Sequence, residues 1–221
     1  LPKSGALPLC YDPTWGLFTP RLRNLQVKKT NFRLFCSAMQ PRSKSMRKFD
    51  VIVVGAGAAG MMCAIEAGKR GRSVLLIDHA KRMGEKIRIS GGGKCNFTNL
   101  DVTYNKFLSQ NPRFAASCLS RYTQWDFIDW VARSGIAYHE KTLGQLFCDG
   151  SSKEILAMLD RGLMDAGVTV ELNTSLHSVA KNTDYVLRLS SGNVQCDSLV
   201  IATGCKSIPK MGATGIGYQL A

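Results

Sequence analysis

Residues 51–78 constrain the fold of this chain more than any other stretch. An apolar strand, Val51 to Val54, runs directly into a glycine-rich turn, and the small residues after the turn predict a helix. A second apolar strand, Val74 to Ile77, then ends at Asp78. This order of strand, glycine turn, helix, strand and acid predicts a βαβ unit of a Rossmann-like α/β fold.

The glycine-rich turn has the spacing Gly55-x-Gly57-x-x-Gly60, which is typical of dinucleotide binding. We expect Gly55 to make the turn, Gly57 to admit a pyrophosphate to the backbone, and Gly60 to let the helix pack on the sheet. The helix N-terminus would offer free N–H groups and a positive dipole end to phosphate. Asp78 would accept hydrogen bonds from a ribose. A glycine turn without a ligand is the alternative.

The positive charge of the chain lies mostly in residues 1–49. This segment holds ten Lys and Arg and one acid, whereas residues 50–221 hold 19 Lys and Arg and 15 acids. The net charge is therefore +9 before residue 50 and +4 after it, out of +13 in total. The basic character therefore belongs mostly to the N-terminal segment and is not a nucleic-acid footprint on the folded part, and we expect no DNA partner.

Residues 1–49 resemble an organelle-targeting peptide. The segment is basic, and Arg21 to Phe35 could form the basic amphipathic helix of a presequence. The residues from Phe35 to Ala38 resemble a plastid cleavage site, so we expect an organellar destination, with the chloroplast favoured over the mitochondrion. A disordered basic arm is the alternative. Residues 50–221 are then a dinucleotide-binding domain.

The cysteines and histidines do not form a metal-binding pattern. Eight cysteines contain no CxxC pair, and the three histidines are scattered. We therefore expect reduced thiols in an intracellular compartment and no metal site. The longest uncharged run, Val51 to Ile65, is too short and too glycine-rich to span a membrane.

A second glycine-rich stretch runs from Gly84 to Asn99. Its three consecutive glycines, Gly91, Gly92 and Gly93, are ill suited to a helix or a central strand and favour a nest of N–H groups. Lys94 lies beside them, and Asn96 adds a hydrogen-bonding amide. Because the loop follows the strand that ends at Asp78, we expect it to contact the cofactor. A polar surface loop is the alternative.

The remaining sequence predicts a helical insertion at about 100–138, with one helix opening at Asn111-Pro112. A capping box at Thr123–Asp126 precedes an apolar stripe, and a second box at Ser151–Glu154 precedes another. The stripes comprise Trp125, Ile128, Val131 and Ala132, and then Ile155, Leu156, Leu159 and Leu163. We interpret Trp125, Phe127 and Trp130 as packing residues and not as a platform for bases.

The C-terminal part predicts a β-meander. After short strands or a loop at 138–149 and a strand at Val168 to Leu172, we expect meander strands at 175–180, 185–190 and 194–196. A separate strand, 198–204, would follow and end in Thr203 and Gly204. At the carboxyl edge of the sheet these two residues would meet the pyrophosphate region.

Three stretches resemble the YhiN/BaiN-type FAD-dependent oxidoreductases. They are ISGGGKCNFTN at 89–99, LGQLF at 143–147 and ATGCKSIPKMGATGIGYQLA at 202–221. The resemblance covers residues 50–221 and implies a three-layer ββα FAD-binding domain with a β-meander crossover and a truncated second domain. The chain departs from the family pattern at Gln145, Cys148, Cys205 and Ile216.

The resemblance also implies the cofactor contacts. FAD would touch the first glycine turn, Asp78, the second glycine loop and the last strand. The residues are Gly55, Gly57, Ala58, Ala59, Gly60, Asp78, Lys86, Ser90, Gly91, Gly92, Gly93, Lys94, Cys95, Asn96, Thr203 and Gly204.

The implied function is reduction of an activated C=C bond by hydride from NAD(P)H through FAD. Uracil in organellar ribosomal RNA, reduced to dihydrouridine, and steroid-like enones are the substrate classes. Cys95 is the candidate proton donor, with a small residue in a tight loop as the alternative. Two other readings remain: an NAD(P)-dependent dehydrogenase using the βαβ unit directly, and a truncated, non-catalytic nucleotide-binding module.

Overall fold

The computed structural model describes residues 46–108, 110–204 and 215–220. The strands are β1 (Arg47–Val54), β2 (Val74–Ile77), β3 (Asn96–Asn99), β4 (Tyr138–Glu140), β5 (Gln145–Cys148), β6 (Thr169–Glu171), β7 (Leu176–Lys181), β8 (Tyr185–Leu189) and β9 (Gly192–Ile201). The helices are α1 (Ala58–Lys69), α2 (Glu85–Ile89), α3 (Ala116–Arg121), α4 (Gln124–Arg133), α5 (Ser152–Asp165) and α6 (Ile216–Leu220).

The main sheet has the strand order β6-β2-β1-β9-β8-β7. Strands β6, β2, β1 and β9 pair in parallel, and β9, β8 and β7 pair antiparallel as the predicted meander. A smaller antiparallel sheet has the order β3-β5-β4. The apolar runs of β1 and β2 suit strands that are covered on both faces, and this is the Rossmann-like arrangement that the fingerprint predicted.

Alternate residues of β1 and β2 face two different cores. Val53 and Leu76 pack with the buried faces of α1 and α5, whereas Ile52 and Leu75 pack with residues of the meander such as Leu187. This alternation follows from the period of two in a strand. Helices, parallel strands and meander therefore form three successive layers, which confirms the predicted sandwich.

Strand β9 is longer than predicted. The sequence suggested one meander strand at 194–196 and a separate strand at 198–204, but a single ten-residue strand covers both. Residues 192–196 pair with β8 on one edge, and residues 194–201 pair with β1 on the other. The exposed Asp197 between the two predicted strands points away from the core and does not interrupt the ladder. The separation of the two strands was wrong.

The helical insertion is confirmed with changed boundaries. The helix expected at Asn111-Pro112 begins at Ala116, because the carbonyl and side chain of Asn111 instead accept hydrogen bonds in a local turn. Both capping boxes are present, at Thr123 and at Ser151. Trp125 is 57% exposed and Ala132 is also exposed, so the assignment of these two residues to the core-facing stripe was wrong.

Several expectations fall on residues that the structure does not describe. The predicted presequence helix at 21–35 and most of the basic segment lie outside the described residues, as does Cys205. Within the described ranges, no helix is both long enough and apolar enough to cross a bilayer. No cluster of three or more His, Cys, Asp or Glu side chains in those ranges is arranged to hold a metal ion.

Candidate functional site

A cavity of about 480 Å³ opens at the carboxyl edge of the parallel strands. This is the edge where open α/β sheets bind nucleotides, and the volume lies within the range of about 300–1,000 Å³ that is usual for ligand sites. The cavity lies among the first glycine turn, the residues after β2, the connection between β6 and β7, the residues after β9, and the first residue of α6. Its lining residues are Val54, Gly55, Ala56, Gly57, Ala58, Ala59, Asp78, His79, Ala80, Arg82, Gly84, Glu85, Lys86, Ile87, Thr174, Ser175, Leu176, Ala202, Thr203, Gly204 and Ile216.

A Cβ atom would have different surroundings at each of the three fingerprint glycines. Gly55 has φ +110°, and a Cβ there would run into the backbone of Ala202. A Cβ on Gly60 would strike the carbonyl of Gly55, so this glycine permits close packing of α1 against the turn. At Gly57 a Cβ would meet nothing within 4 Å. The space beside Gly57 therefore belongs to the cavity and suits a ligand that touches the backbone.

The N-terminus of α1 points its first residues at the same cavity. Gly57 is the N-cap and offers no side chain, and no side-chain hydrogen bond caps this end of the helix. Ala58 and Ala59, the first two helical residues, line the cavity wall. Unprotected N–H groups at a helix N-terminus attract phosphate, so this wall fits the pyrophosphate of a dinucleotide.

Asp78 lies at the end of β2, where the fingerprint predicted the acid. One carboxylate oxygen accepts a hydrogen bond from the N–H of Ala56 at 2.6 Å, and the other accepts one from the N–H of Ala80 at 2.8 Å. The ring of His79 lies 3.3 Å from the second oxygen. Each carboxylate oxygen can accept more than one hydrogen bond. Asp78 therefore stabilises the turn and still offers acceptors to a ribose at the cavity wall.

Another part of the wall is formed by α2 and the residues after β9. Gly84 precedes α2 with φ +64°, and its N–H donates to the carbonyl of Ala56 at 2.9 Å. The Lys86 ammonium lies beside Gly204, 3.6 Å from the point where a Cβ on that glycine would be. Two residues that the sequence placed at the cofactor, far apart in the chain, are thus neighbours.

Half of the predicted cofactor residues line this cavity. Those that do are Gly55, Gly57, Ala58, Ala59, Asp78, Lys86, Thr203 and Gly204. Gly60 lies behind the turn as a packing residue. The residues of the second glycine loop are not among those that line the cavity: Ser90, Gly91, Gly92, Gly93, Lys94, Cys95 and Asn96. Their contact with a cofactor stays a prediction.

The second glycine loop is held by the small sheet. Gly91 and Gly92 have φ of 58° and 67°, as the run of glycines led us to expect of this segment. A Cβ on Gly91 would meet the ring of Phe147 at 2.6 Å, so this position needs glycine for close packing. Lys94 donates from its ammonium to the carbonyl of Asp149 at 3.0 Å. The loop is therefore an ordered part of the fold.

Cys95 lies in the core, 5% exposed, with a φ of 53° that is rare for a residue other than glycine. Burial raises the pKa of its thiol, against the opposite effect of a hydrogen bond from Ser90. Across the β3–β5 ladder, burial raises the pKa of Cys148 to about 11, and the neighbouring Cys95 adds to that rise. Both thiols are protonated at neutral pH. This environment suits the packing role of Cys95, and its role as a proton donor stays a prediction.

Several cavity residues escaped the sequence analysis. One group lies between β6 and the start of β7 and comprises Thr174, Ser175 and Leu176. The other is an ion pair of 3.2 Å between Arg82, just before α2, and Glu85, the first residue of α2. The position of Thr174 just beyond the predicted strand Val168 to Leu172 was the available signal, because the carboxyl ends of parallel strands share one edge. Nothing local in the sequence marked Arg82.

Comparison with known proteins identifies the family. The model of the "HI0933-like protein Rossmann domain" family matches residues 49–221. The ribosomal RNA dihydrouridine synthase of Escherichia coli (strain K12) is 54% identical over 177 residues, which are 80% of this chain and 44% of that protein. The 3-dehydro-bile acid delta(4,6)-reductase of Clostridium scindens is 24% identical over 174 residues, 76% of this chain and 42% of that protein.

A solved structure shows the same fold. The 3-ketosteroid-delta4-(5alpha)-dehydrogenase of Rhodococcus jostii RHA1 superposes with a TM-score of 0.53 at 15% identity, covering 74% of this chain and 47% of that one. The chain spans less than half the length of the curated relatives it matches. Since the family model covers most of the chain and the Escherichia coli relative is 54% identical, the chain belongs to the HI0933-like family of FAD-binding Rossmann-fold flavoenzymes.

Proposed function

We propose that this chain is the FAD-binding part of a reductase that turns uracil in ribosomal RNA into dihydrouridine, with NAD(P)H as the electron donor. The observation that carries the cofactor assignment is the open space at Gly57, beside an uncapped helix N-terminus in the wall of a nucleotide-sized cavity. The similarity to a ribosomal RNA dihydrouridine synthase supports the substrate.

The residues of the cavity have separable tasks in this proposal. Gly57 admits the pyrophosphate to the backbone, and the N–H groups at Ala58 and Ala59 bind it. Asp78 binds the ribose hydroxyls of the adenosine half. The Lys86 ammonium, next to Gly204, balances the charge of the phosphates. These residues bind and orient the cofactor, while the bound flavin supplies hydride transfer from the nicotinamide to a C=C bond.

The proposed substrate follows the stronger of two similarities. The chain shares 54% of aligned residues with the ribosomal RNA enzyme and 24% with the bile acid reductase. Both chemistries reduce a C=C bond that is conjugated with a carbonyl group. A steroid-like enone is therefore the alternative substrate class for the same site.

The first test is a visible absorption spectrum of the purified full natural chain, with identification of the cofactor released on denaturation. We expect FAD at close to one per chain. A folded protein that stays colourless and takes up no added FAD would overturn the flavoenzyme proposal. It would favour direct use of the βαβ unit by a nicotinamide nucleotide.

The second test uses the loaded protein with NADH or NADPH and transcribed, unmodified ribosomal RNA. Mass spectrometry of the digested RNA should show a gain of two hydrogens in one uridine, which is dihydrouridine. The Gly57→Ala variant is the matched negative control, since this change alters the ligand space without a clash in the protein. Reduction of an enone steroid with no change in the RNA would reassign the substrate.

We further propose that residues 1–49 direct the protein to an organelle, the chloroplast before the mitochondrion. The basic, nearly acid-free composition of this segment supports the proposal. A fluorescent protein fused behind residues 1–49 should enter plastids in plant cells. A control fusion in which Arg21, Arg23, Lys28, Lys29 and Arg33 are changed to Gln should stay outside, and uptake of both or of neither would contradict the proposal.

A further inference from the structure

Residues 102–125, which we call the aromatic–basic segment, place five aromatic rings on the surface. The rings are between 38% and 76% exposed, and none of the described residues in the segment is buried. The five aromatic residues are Tyr104, Phe107, Phe114, Tyr122 and Trp125. Single exposed apolar residues are common, but a concentration of rings in one stretch marks a binding surface.

The charged residues of this segment are all basic, and two exposed acids, Asp101 and Asp126, flank it. Lys106, Arg113 and Arg121 are its basic residues, and it contains no acid. Lys106 is paired with Asp101, just before the segment, at 2.9 Å. Arg113 and Arg121 are exposed and form no ion pair with any residue that the structure describes. Two guanidinium groups of the segment thus have no carboxylate partner among the described residues.

The two ends of the aromatic–basic segment lie next to each other in the fold. The side-chain amide of Gln124 donates to the carbonyl of Leu100 at 3.1 Å, which joins the two ends of the segment. Backbone hydrogen bonds inside it connect residues only three or four positions apart, as from Phe114 to Asn111 and from Tyr122 to Cys118. The segment therefore leaves the rest of the fold and rejoins it at one place, near the start of α4.

We propose that the aromatic–basic segment binds single-stranded regions of the ribosomal RNA substrate. Unpaired bases stack on exposed aromatic rings and on guanidinium planes, and phosphates pair with basic side chains. The segment offers both groups, and its own charged side chains are all basic. A protein partner would also use aromatic residues and Arg, but two unpaired guanidinium groups, next in the chain to the exposed rings of Phe114 and Tyr122, complement the phosphates and bases of RNA. This inference rests on the proposed function.

The test measures dihydrouridine formation by the FAD-loaded full natural chain on overlapping transcribed fragments of ribosomal RNA. Phe114→Ala and Arg113→Gln, both at exposed positions, should each raise KM for the RNA, on the order of tenfold for the loss of one stacked base. The kcat and the FAD content should stay unchanged. For Arg113→Gln the slope of log affinity against log salt should fall by about one.

Matched controls come from α5, on another part of the surface. Met164→Ala removes an exposed apolar side chain and Arg161→Gln an exposed charge, and neither should change KM or the salt slope. If the segment variants keep the wild-type KM and salt slope while dihydrouridine is formed, the RNA contact is overturned and the proposed function stands. An equal rise in KM for the control variants would also overturn it, because general loss of positive charge or apolar surface would then explain the effect.

The two proposals can fail independently. If FAD-loaded wild-type protein forms no dihydrouridine in any fragment, the proposed function fails, and filter binding of the same fragments decides the inference by itself. If wild-type protein binds the fragments and Phe114→Ala binds them more weakly, the segment is still supported as an RNA site. Equal binding by wild type and variant, or a change of oligomeric state in the variant, would overturn it.

Discussion

The carboxylate of Asp78 accepts a hydrogen bond of 2.6 Å from the backbone N–H of Ala56. This bond joins the end of β2 to the glycine turn after β1, at the wall of the cavity. The second carboxylate oxygen binds the N–H of Ala80. Asp78 therefore has two functions in the proposed site, one in shaping the turn and one in binding a ribose, and each predicts a different measurement.

Asp78→Ala should lower both stability and FAD affinity. Loss of two hydrogen bonds to a charged group should reduce the free energy of unfolding by about 2 kcal/mol, and FAD binding should weaken on the order of tenfold or more. Urea unfolding and FAD titration measure the two effects. Asp50→Ala is the control, because Asp50 binds the N–H of Ser73 in a similar way but away from the cavity. Equal FAD affinity in both variants would contradict the ribose role.

Gly57→Ala and Gly60→Ala should separate ligand binding from folding. Gly57 has φ −80° and open space for a Cβ, so alanine should leave stability nearly unchanged and reduce FAD content. A Cβ on Gly60 would strike the Gly55 carbonyl, so this variant should lose several kcal/mol or fail to fold. Thermal unfolding and FAD stoichiometry distinguish the variants. Normal FAD content in Gly57→Ala would argue against pyrophosphate at this turn.

Lys86→Gln should weaken FAD binding through charge alone. The ammonium lies beside Gly204 at the cavity wall, where a phosphate would gain a charge-assisted hydrogen bond. We expect the FAD dissociation constant to rise several-fold at low salt and the difference to shrink as salt increases. Lys81→Gln, an exposed change before α2, should have no effect. A salt-independent loss of affinity would indicate a structural role instead.

Cys148 should contribute to loss of stability at alkaline pH. Its thiol ordinarily loses its proton near 9.0, and burial raises the pKa in the folded protein to about 11. The unfolded chain releases this proton first as pH rises, so the contribution is complete below about 9 and is lost between about 9 and 11. Urea unfolding from pH 7 to 10.5 should show a smaller decline for Cys148→Ala than for wild type.

Wild type and Cys148→Ala are compared by how much the free energy of unfolding falls between pH 7 and pH 10.5, and not by its value at one pH. Cys148→Ala also removes buried volume, which lowers stability at every pH. Cys118→Ala, at an exposed position, should reproduce the wild-type decline. If Cys148→Ala declines as steeply as wild type, another group carries the alkaline effect.

Elements with local signals could be predicted from the sequence. Strand β2 has the predicted bounds, and the capping box at Ser151 opens α5 at Ser152 as expected, because a cap and its helix lie within a few residues of each other. Trp125 shows the limit of such signals. It has the spacing of the buried stripe, but it lies in the first turn of α4, which extends beyond the core formed by Ile128 and Val131.

Five of the eight predicted residues that line the cavity lie in one motif. The glycine turn and Asp78 lie in one βαβ unit, so their meeting followed from the spacing. The second glycine loop was placed at the cofactor because it follows β2 in the chain, yet a later strand holds it: the carbonyl of Lys94 accepts from the N–H of Cys148 at 2.9 Å. That contact depends on the order of strands in the small sheet, which no local pattern encodes.

The pairing of β1 has a consequence for how a nascent chain can fold. One edge of β1 pairs with β2, which follows it closely, but the other edge pairs with β9, the last strand of the sheet. Until β9 leaves the ribosome, β1 keeps an open edge, and such non-local pairing is slow and prone to aggregation. Thr203 and Gly204 follow β9 directly, so the cavity wall is completed at the same late step. A cofactor that contacts this wall can therefore stabilise the sheet only after β9 has paired with β1.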